Sequence, residues 1–287
     1  MKFLQKKINI FFITACILAV QFDLKSQIPE PYLYYDFDDE SGTTSVIDSS
    51  GKERNGTVIG NIQFGEEGAP NGSTPNSGAA FSLGGTGYIN VVETDVPTDF
   101  GNRDQGISAS YTMACWIKPD ASSFTGDRFI FGQGSQGIHH GFRNGSIYHA
   151  HWGSDFSGQS VLNADEWAHL TFTYDSEAGR GAIYVNGKFD AEMPAQQGPN
   201  GGGSLIIGGR NGGGQNFVGL IDDLAIWQAV LEEDQIKALT DGLSPSGRNN
   251  EDDDNDGLSD YYEENLVDNL DDLNGNGTGP GPGSGTG

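Results

Sequence analysis

Residues 167–190, WAHLTFTYDSEAGRGAIYVNGKFD, limit the fold of this chain more than any other stretch. Ala168, Leu170, Phe172 and Tyr174 alternate with His169, Thr171 and Thr173, the period of a strand with one face on a core and one toward solvent. Ile183 and Val185 continue the apolar face in a returning strand. Asn186-Gly187 then sits before Lys188-Phe189. A two-residue hairpin turn needs positive φ at both central positions, which Asn and Gly tolerate best. The result is an antiparallel meander in mid-chain, and the remainder has to be sheet built around it.

The remainder reads accordingly. Short strands are expected at residues 32–37, 57–64, 79–83, 88–92, 128–131, 137–142, 146–151 and 204–207, separated by Gly-, Pro-, Asn- and Ser-rich turns. In residues 108–118, Tyr111, Met113, Cys115 and Ile117 line one face and Trp116 the other. In residues 217–227, Leu220, Asp222, Leu224 and Ile226 share a face on strict alternation. Only residues 231–240 look helical, closed by Gly242 and Pro245. The fold class is therefore all-β, a two-sheet antiparallel sandwich of jelly-roll type with one short C-terminal helix and a calcium-loop tail.

Fifteen basic residues stand against 40 acidic ones, a formal charge of −25, which argues against nucleic acid and anionic membrane surfaces as partners. Residues 1–26 read as an export signal: Lys2, Lys6 and Lys7 precede an apolar run, residues 8–20, too short for a membrane span. Cleavage after Ser26 predicts a secreted or outer-surface protein with no transmembrane span in the mature chain. A rival reading takes Ile13-Thr14-Ala15-Cys16 as a lipobox that makes Cys16 a lipidated N-terminus. Removal of the signal leaves Cys115 without a disulfide partner, as a buried packing residue.

Several spaced segments occur together in order: Tyr35-Asp36-Phe37-Asp38, Asp48-Ser49-Ser50-Gly51, residues 111–119, 167–175 and 183–187, and Gly219-Leu220-Ile221-Asp222-Asp223 before Trp227 and Leu231. Over residues 31–243 this order resembles the laminin G-like, pentraxin-like jelly rolls of the concanavalin A-like lectin/glucanase group. The resemblance places such a domain at residues 27–245. It also implies a structural calcium near the N-terminal loop and the last strand, with Asp48 and Asp222 as ligands. The competing reading has Asp48 capping a turn and Asp222 as a satisfied buried carboxylate. Lectins, adhesion modules, glycosidases and lyases share this fold, so it does not by itself assign a function.

Residues 246–273 form an acidic repeat. Asp252, Asp254, Asp256, the Leu258 carbonyl, Asp260 and Glu263 occupy the oxygen-ligand positions of a twelve-residue calcium loop, with Gly257 at the sharp turn. No helix enters the loop, so it resembles a thrombospondin type 3 or dockerin-like repeat more than a full EF-hand. Residues 274–287 are a Gly-rich linker or a truncated end, and further modules beyond it are possible.

Four of the five histidines cluster: His139, His140, His149 and His151, beside Arg143, Trp152 and Asp155. On adjacent strands they would make a surface for a glycan, an aromatic ring stacking on the sugar and polar groups reading its hydroxyls. A transition-metal site and a polar outer sheet face in structural hydrogen bonds are the other two readings. His169 could extend the patch. No strand carries the paired carboxylates of jelly-roll glucanases, and Glu232, Glu233 and Asp234 sit at a helix start, where acids favour the positive end of the dipole. The lyase pattern fails as well: Gln136-Gly137-Ile138-His139 lacks its Tyr-bearing companion strand. The expected function is non-catalytic binding of a glycan or cell-surface ligand, with calcium. Adhesion through protein contact and a divergent polysaccharide-degrading enzyme are the alternatives.

Overall fold

The computed structural model describes residues 28–39, 42–73, 78–91, 99–133, 137–200, 202–210 and 215–246. The export segment with Cys16, the acidic repeat with Asp252 to Glu263, and the Gly-rich end lie outside them. The first half of the chain gives β1 (Leu33–Tyr35), β2 (Ser45–Val46), β3 (Gly56–Ile59), β4 (Ile62–Gln63), β5 (Ala80–Ser82), β6 (Tyr88–Val91), β7 (Tyr111–Pro119) and β8 (Asp127–Gln133). The second half gives β9 (His139–Arg143), β10 (Ser146–His151), β11 (Ser154–Ser157), β12 (Ala168–Asp175), β13 (Arg180–Val185), β14 (Lys188–Pro194), β15 (Leu205–Ile207) and β16 (Gly219–Trp227), followed by helix α1 (Glu233–Thr240).

These strands form two antiparallel sheets. The first runs β14-β13-β12-β7-β16-β5-β4, with β1 also against β16; the second runs β11-β10-β9-β8-β15-β6-β3-β2. The meander is as expected: Leu170 lies opposite Val185 and Phe172 opposite Ile183, and Asn186 and Gly187 have φ of 49° and 74°. A Cβ at Gly187 would stand 2.7 Å from Thr240 Oγ1, so the turn also needs glycine to fit beneath α1.

The main core lies between the sheets. Met113, Cys115, Leu170, Phe172, Ile183 and Leu224 of the first sheet meet Ile89, Phe131, Phe142, Ile147, Leu205 and Ile207 of the second. Burial of each large apolar side chain contributes roughly 1.5–3 kcal/mol. The back of the meander differs from expectation: His169, Thr171 and Thr173 are buried as well. The first sheet has a second apolar cluster on its other face, where Ala114, Tyr184 and Trp227 meet Leu231 and, from α1, Ile236 and Leu239. The helix begins two residues later than its periodicity suggests, where Gln235 Oε1 accepts the Glu232 N–H at 2.9 Å.

β16 also departs from strict alternation. Its register against β7 shifts between Asp222 and Ala225, and Asp223 has a φ of 44°. The bulge changes the parity of the strand. Ile221, Leu224 and Ile226 therefore share the core, and Asp222 does not lie on the Leu224–Ile226 face.

Candidate functional site

β9 and β10 are neighbours in the second sheet, joined by a turn at Asn144-Gly145 with φ of 50° and 84°. Adjacent residues of a strand must face opposite ways. The expected single histidine face is therefore divided. His139, Arg143, Tyr148 and Trp152 lie on the outer side of the sheet, while His140, His149 and His151 point inward with Phe142 and Ile147 and have no exposed surface. His169 belongs to neither group; it is buried on the first sheet, edge-on to Trp116.

The inward group is satisfied by a hydrogen-bond chain through His140 and His151 and by separate partners on His149. Ala150 N–H donates to His140 Nδ1 at 3.0 Å, so the proton of neutral His140 is on Nε2, which donates to Tyr111 Oη at 2.8 Å. The Tyr111 hydroxyl then donates to His151 Nε2 at 2.5 Å, and His151 Nδ1–H donates to the Gln197 carbonyl at 2.8 Å. His149 Nε2–H donates to the Thr173 carbonyl at 3.0 Å, and its Nδ1 accepts from Gln196 Nε2 at 3.1 Å. In this assignment every ring nitrogen has a partner and every ring is neutral.

Burial disfavours the charged form: it holds His140 and His151 well below the usual histidine range and His149 at about 3. Phe172 stacks on His140 and Phe156 on His149, with ring centroids 5.0 Å apart in each case. Ligand atoms of the three histidines lie within 4.8 Å of one another, the one such group of three among the described residues. A metal ion there would have to displace the donors already on His140 Nδ1, His149 Nδ1 and His151 Nε2, so the arrangement suits a neutral structural network better than a metal centre.

The outward group is a strip across β8 to β11 in which Phe129, His139 and Tyr148 are themselves buried. The Trp152 side of the strip is open, with that residue 55% exposed. Its ring centroid is 6.5 Å from that of His139, which lies 6.0 Å from Tyr148 and 5.3 Å from Phe129. The Arg143 guanidinium lies 4.0 Å over the Tyr148 ring. It donates through Nε and Nη2 to the two Asp127 oxygens at 2.8 and 3.1 Å, and through Nη1 to Tyr148 Oη. Tyr148 Oη donates to Asp155 Oδ2 at 2.6 Å. Burial, then the hydrogen bond to Asp155, raise the Tyr148 phenol above its ordinary pKa.

Arg103 fixes the Trp152 end by donating from Nη2 to the Trp152 carbonyl at 2.7 Å and from Nη1 to that of Gly198 at 3.3 Å. Asp127, Tyr148 and Arg103 were not singled out in the sequence. The pairing of β8 with β9, which sets Asp127 opposite Arg143, is what identifies the first of them.

The expected calcium ligands close separate loops. Asp48 Oδ1 accepts from the N–H groups of Tyr34 and Ser50, both at 3.0 Å, and Oδ2 from that of Arg54 at 2.9 Å, so Asp48 organises its own turn. Asp222 Oδ2 accepts from Ala69 N–H at 2.7 Å, and Asp223 accepts from the Tyr34 and Ser73 hydroxyls and from Ser73 N–H. Burial and the adjacent Asp223 carboxylate raise Asp222 to about 9. Asp36 adds to the same effect at Asp223 and Asp38 to that at Asp222.

Known proteins share this architecture. The binding domain of Paraclostridial Mosquitocidal Protein 1 superposes with a TM-score of 0.54 at 17% identity, over 74% of this chain and 52% of that one. Domain 4 of AbnA, a GH43 extracellular arabinanase from Geobacillus stearothermophilus solved in complex with arabinotriose, gives 0.52 at 22% identity, over 74% and 98%. The botulinum neurotoxin serotype D binding domain gives 0.51 at 16%, over 74% and 51%. At such identities the likeness is one of fold. A 106-residue segment is 27% identical to the sushi, von Willebrand factor type A, EGF and pentraxin domain-containing protein 1 of Rattus norvegicus, covering 33% of this chain and 3% of that protein, so the chain spans a small fraction of that relative. Residues 83–237, more than half of the chain, match the model of the Laminin_G_3 family, and with the two-sheet antiparallel sandwich around them this chain belongs to that family of the concanavalin A-like lectin/glucanases superfamily.

Proposed function

We propose that the chain is a non-catalytic carbohydrate-binding module of an exported protein and that the outer strip of β8 to β11 is its binding face. The half-exposed Trp152 indole, beside side chains fixed by mutual hydrogen bonds, supports this reading. An aromatic face covers the apolar C–H side of a sugar ring, and preorganised polar groups select its hydroxyls at little entropic cost. The arabinotriose bound to domain 4 of AbnA is consistent with the reading. Arabinan is accordingly the first polysaccharide to try, in affinity electrophoresis of the wild type and of Trp152→Ala. Retardation that survives the substitution, with folding intact, would remove the strip from consideration.

Calcium is part of the proposal. The tail ligands, Asp252 to Glu263, rest on their residue pattern. In the folded domain, Asp222 and Asp223, with Asp36 and Asp38 acting on them, bring more carboxylates together than Asp48 does, and a cation there would replace donors from Ala69, Ser73 and Tyr34. Calorimetric titration with calcium should show at least one site, and Asp254→Ala with Glu263→Ala should abolish the tail site. An unchanged titration in that double variant would refute the tail assignment.

A further inference from the structure

We infer that the ligand of the outer strip is an uncharged glycan, and that uronate, sialylated and sulfated polymers are excluded from it; this rests on the carbohydrate-binding reading above. The two cationic groups that border the strip are already engaged. Arg143 lies flat on Tyr148, its Nε and Nη2 held by both oxygens of Asp127, and its Nη1 stands 3.8 Å from Asp155. Arg103 donates to the carbonyls of Trp152 and Gly198 and has Asp104 at 3.9 Å.

Three carboxylates therefore face two guanidinium groups. Asp155 Oδ1 and Gln215 Oε1 are acceptors with no donor of their own, and both are enclosed rather than turned to solvent. A carboxylated or sulfated sugar would find the guanidinium groups of Arg143 and Arg103 already committed and would approach a chain whose formal charge is −25. Discrimination by this means is a charge mismatch against the wrong partner rather than an added contact to the right one. Hydroxyl groups fit instead: they carry no charge, so they meet neither the repulsion nor the cost of desolvating an ion.

Affinity electrophoresis at about 8 Å Debye length, physiological salt, separates the two levels of the reading. The probes are arabinan and a neutral β-glucan on one side and polygalacturonate and a sialylated glycoprotein on the other, each with full-length chain. The expected result is retardation by at least one neutral polymer, weakened at least tenfold in Trp152→Ala, with none from the anionic pair. Equal or stronger retardation by polygalacturonate or the sialylated probe, lost in Trp152→Ala, overturns the charge inference while leaving the binding face in place. Retardation by no polymer of either kind overturns the carbohydrate reading itself. Asp155→Asn keeps the shape of the side chain and removes one of the acids beside Arg143. It is expected to give polygalacturonate a measurable retardation that the wild type lacks, and no retardation of a folded variant counts against charge as the filter.

Discussion

The two faces of β9 and β10 are made from the same residue types and do opposite work. Inside, His140, His149 and His151 are fully enclosed, and each has its nitrogens assigned to one donor and one acceptor. Outside, His139 forms part of the ground on which Trp152 rests, and the charges there are paired across strands. An imidazole can be buried without a counter-charge because its neutral form is accessible at pH 7; an arginine cannot, and Arg143 keeps its charge beside Asp127 and Asp155. The inner face should thus govern stability and its pH dependence, and the outer face recognition.

Acid should separate the faces most strongly. The histidines that burial holds neutral, His140, His149, His151 and His169, bind no proton when folded but take one each when unfolded below a pH of about 6.5. Their stabilising share is complete above that value and is lost as pH falls below it, at roughly 1.4 kcal/mol per pH unit for each histidine. Asp222 and Asp223 act in the other direction, because a raised carboxyl pKa favours the folded state as pH falls. With four groups against two, the unfolding free energy from urea titrations should drop by roughly 2 kcal/mol between pH 7 and 5, and a flat profile would break the comparison. Tyr111→Phe should have a comparable effect, costing about 2–4 kcal/mol in the same assay, since it leaves both His140 Nε2–H and His151 Nε2 unpaired.

Smaller effects belong to the outer face. Trp152→Ala should reduce glycan affinity about tenfold, near 1.4 kcal/mol by calorimetry, while changing the unfolding free energy by no more than about 0.5 kcal/mol. Arg143→Lys keeps the charge but cannot grip both Asp127 oxygens. It should lower affinity only a few-fold and stability by about 1 kcal/mol or less.

The sandwich was legible in the sequence because period-two alternation and the Asn186-Gly187 turn are local signals. Parity within one strand is also a local signal, and the single histidine face overlooked it: His139 and His140 are neighbours, so they cannot share a face, and Ile147 marks the side that His149 and His151 join. What the sequence did not reveal depends on contacts distant along the chain. The back of the meander is buried because α1 and Leu231 return to cover it. The strip became recognisable only once β8 set Asp127 opposite Arg143. The parity of β16 was hidden because the bulge at Asp223 answers to Ser73, 150 residues away, and to Tyr34.

β1 pairs with β16, Trp227 Nε1 donates to the Pro29 carbonyl at 2.7 Å, and Ile28 packs in the same cluster as Leu243. The polypeptide therefore enters and leaves the sandwich at one place. Joined to other modules, this domain would hang from the line of the chain as a pendant and add little to its contour length. The far rim would then face outward, and the attachments on either side would stand almost as close together as if the domain were not between them.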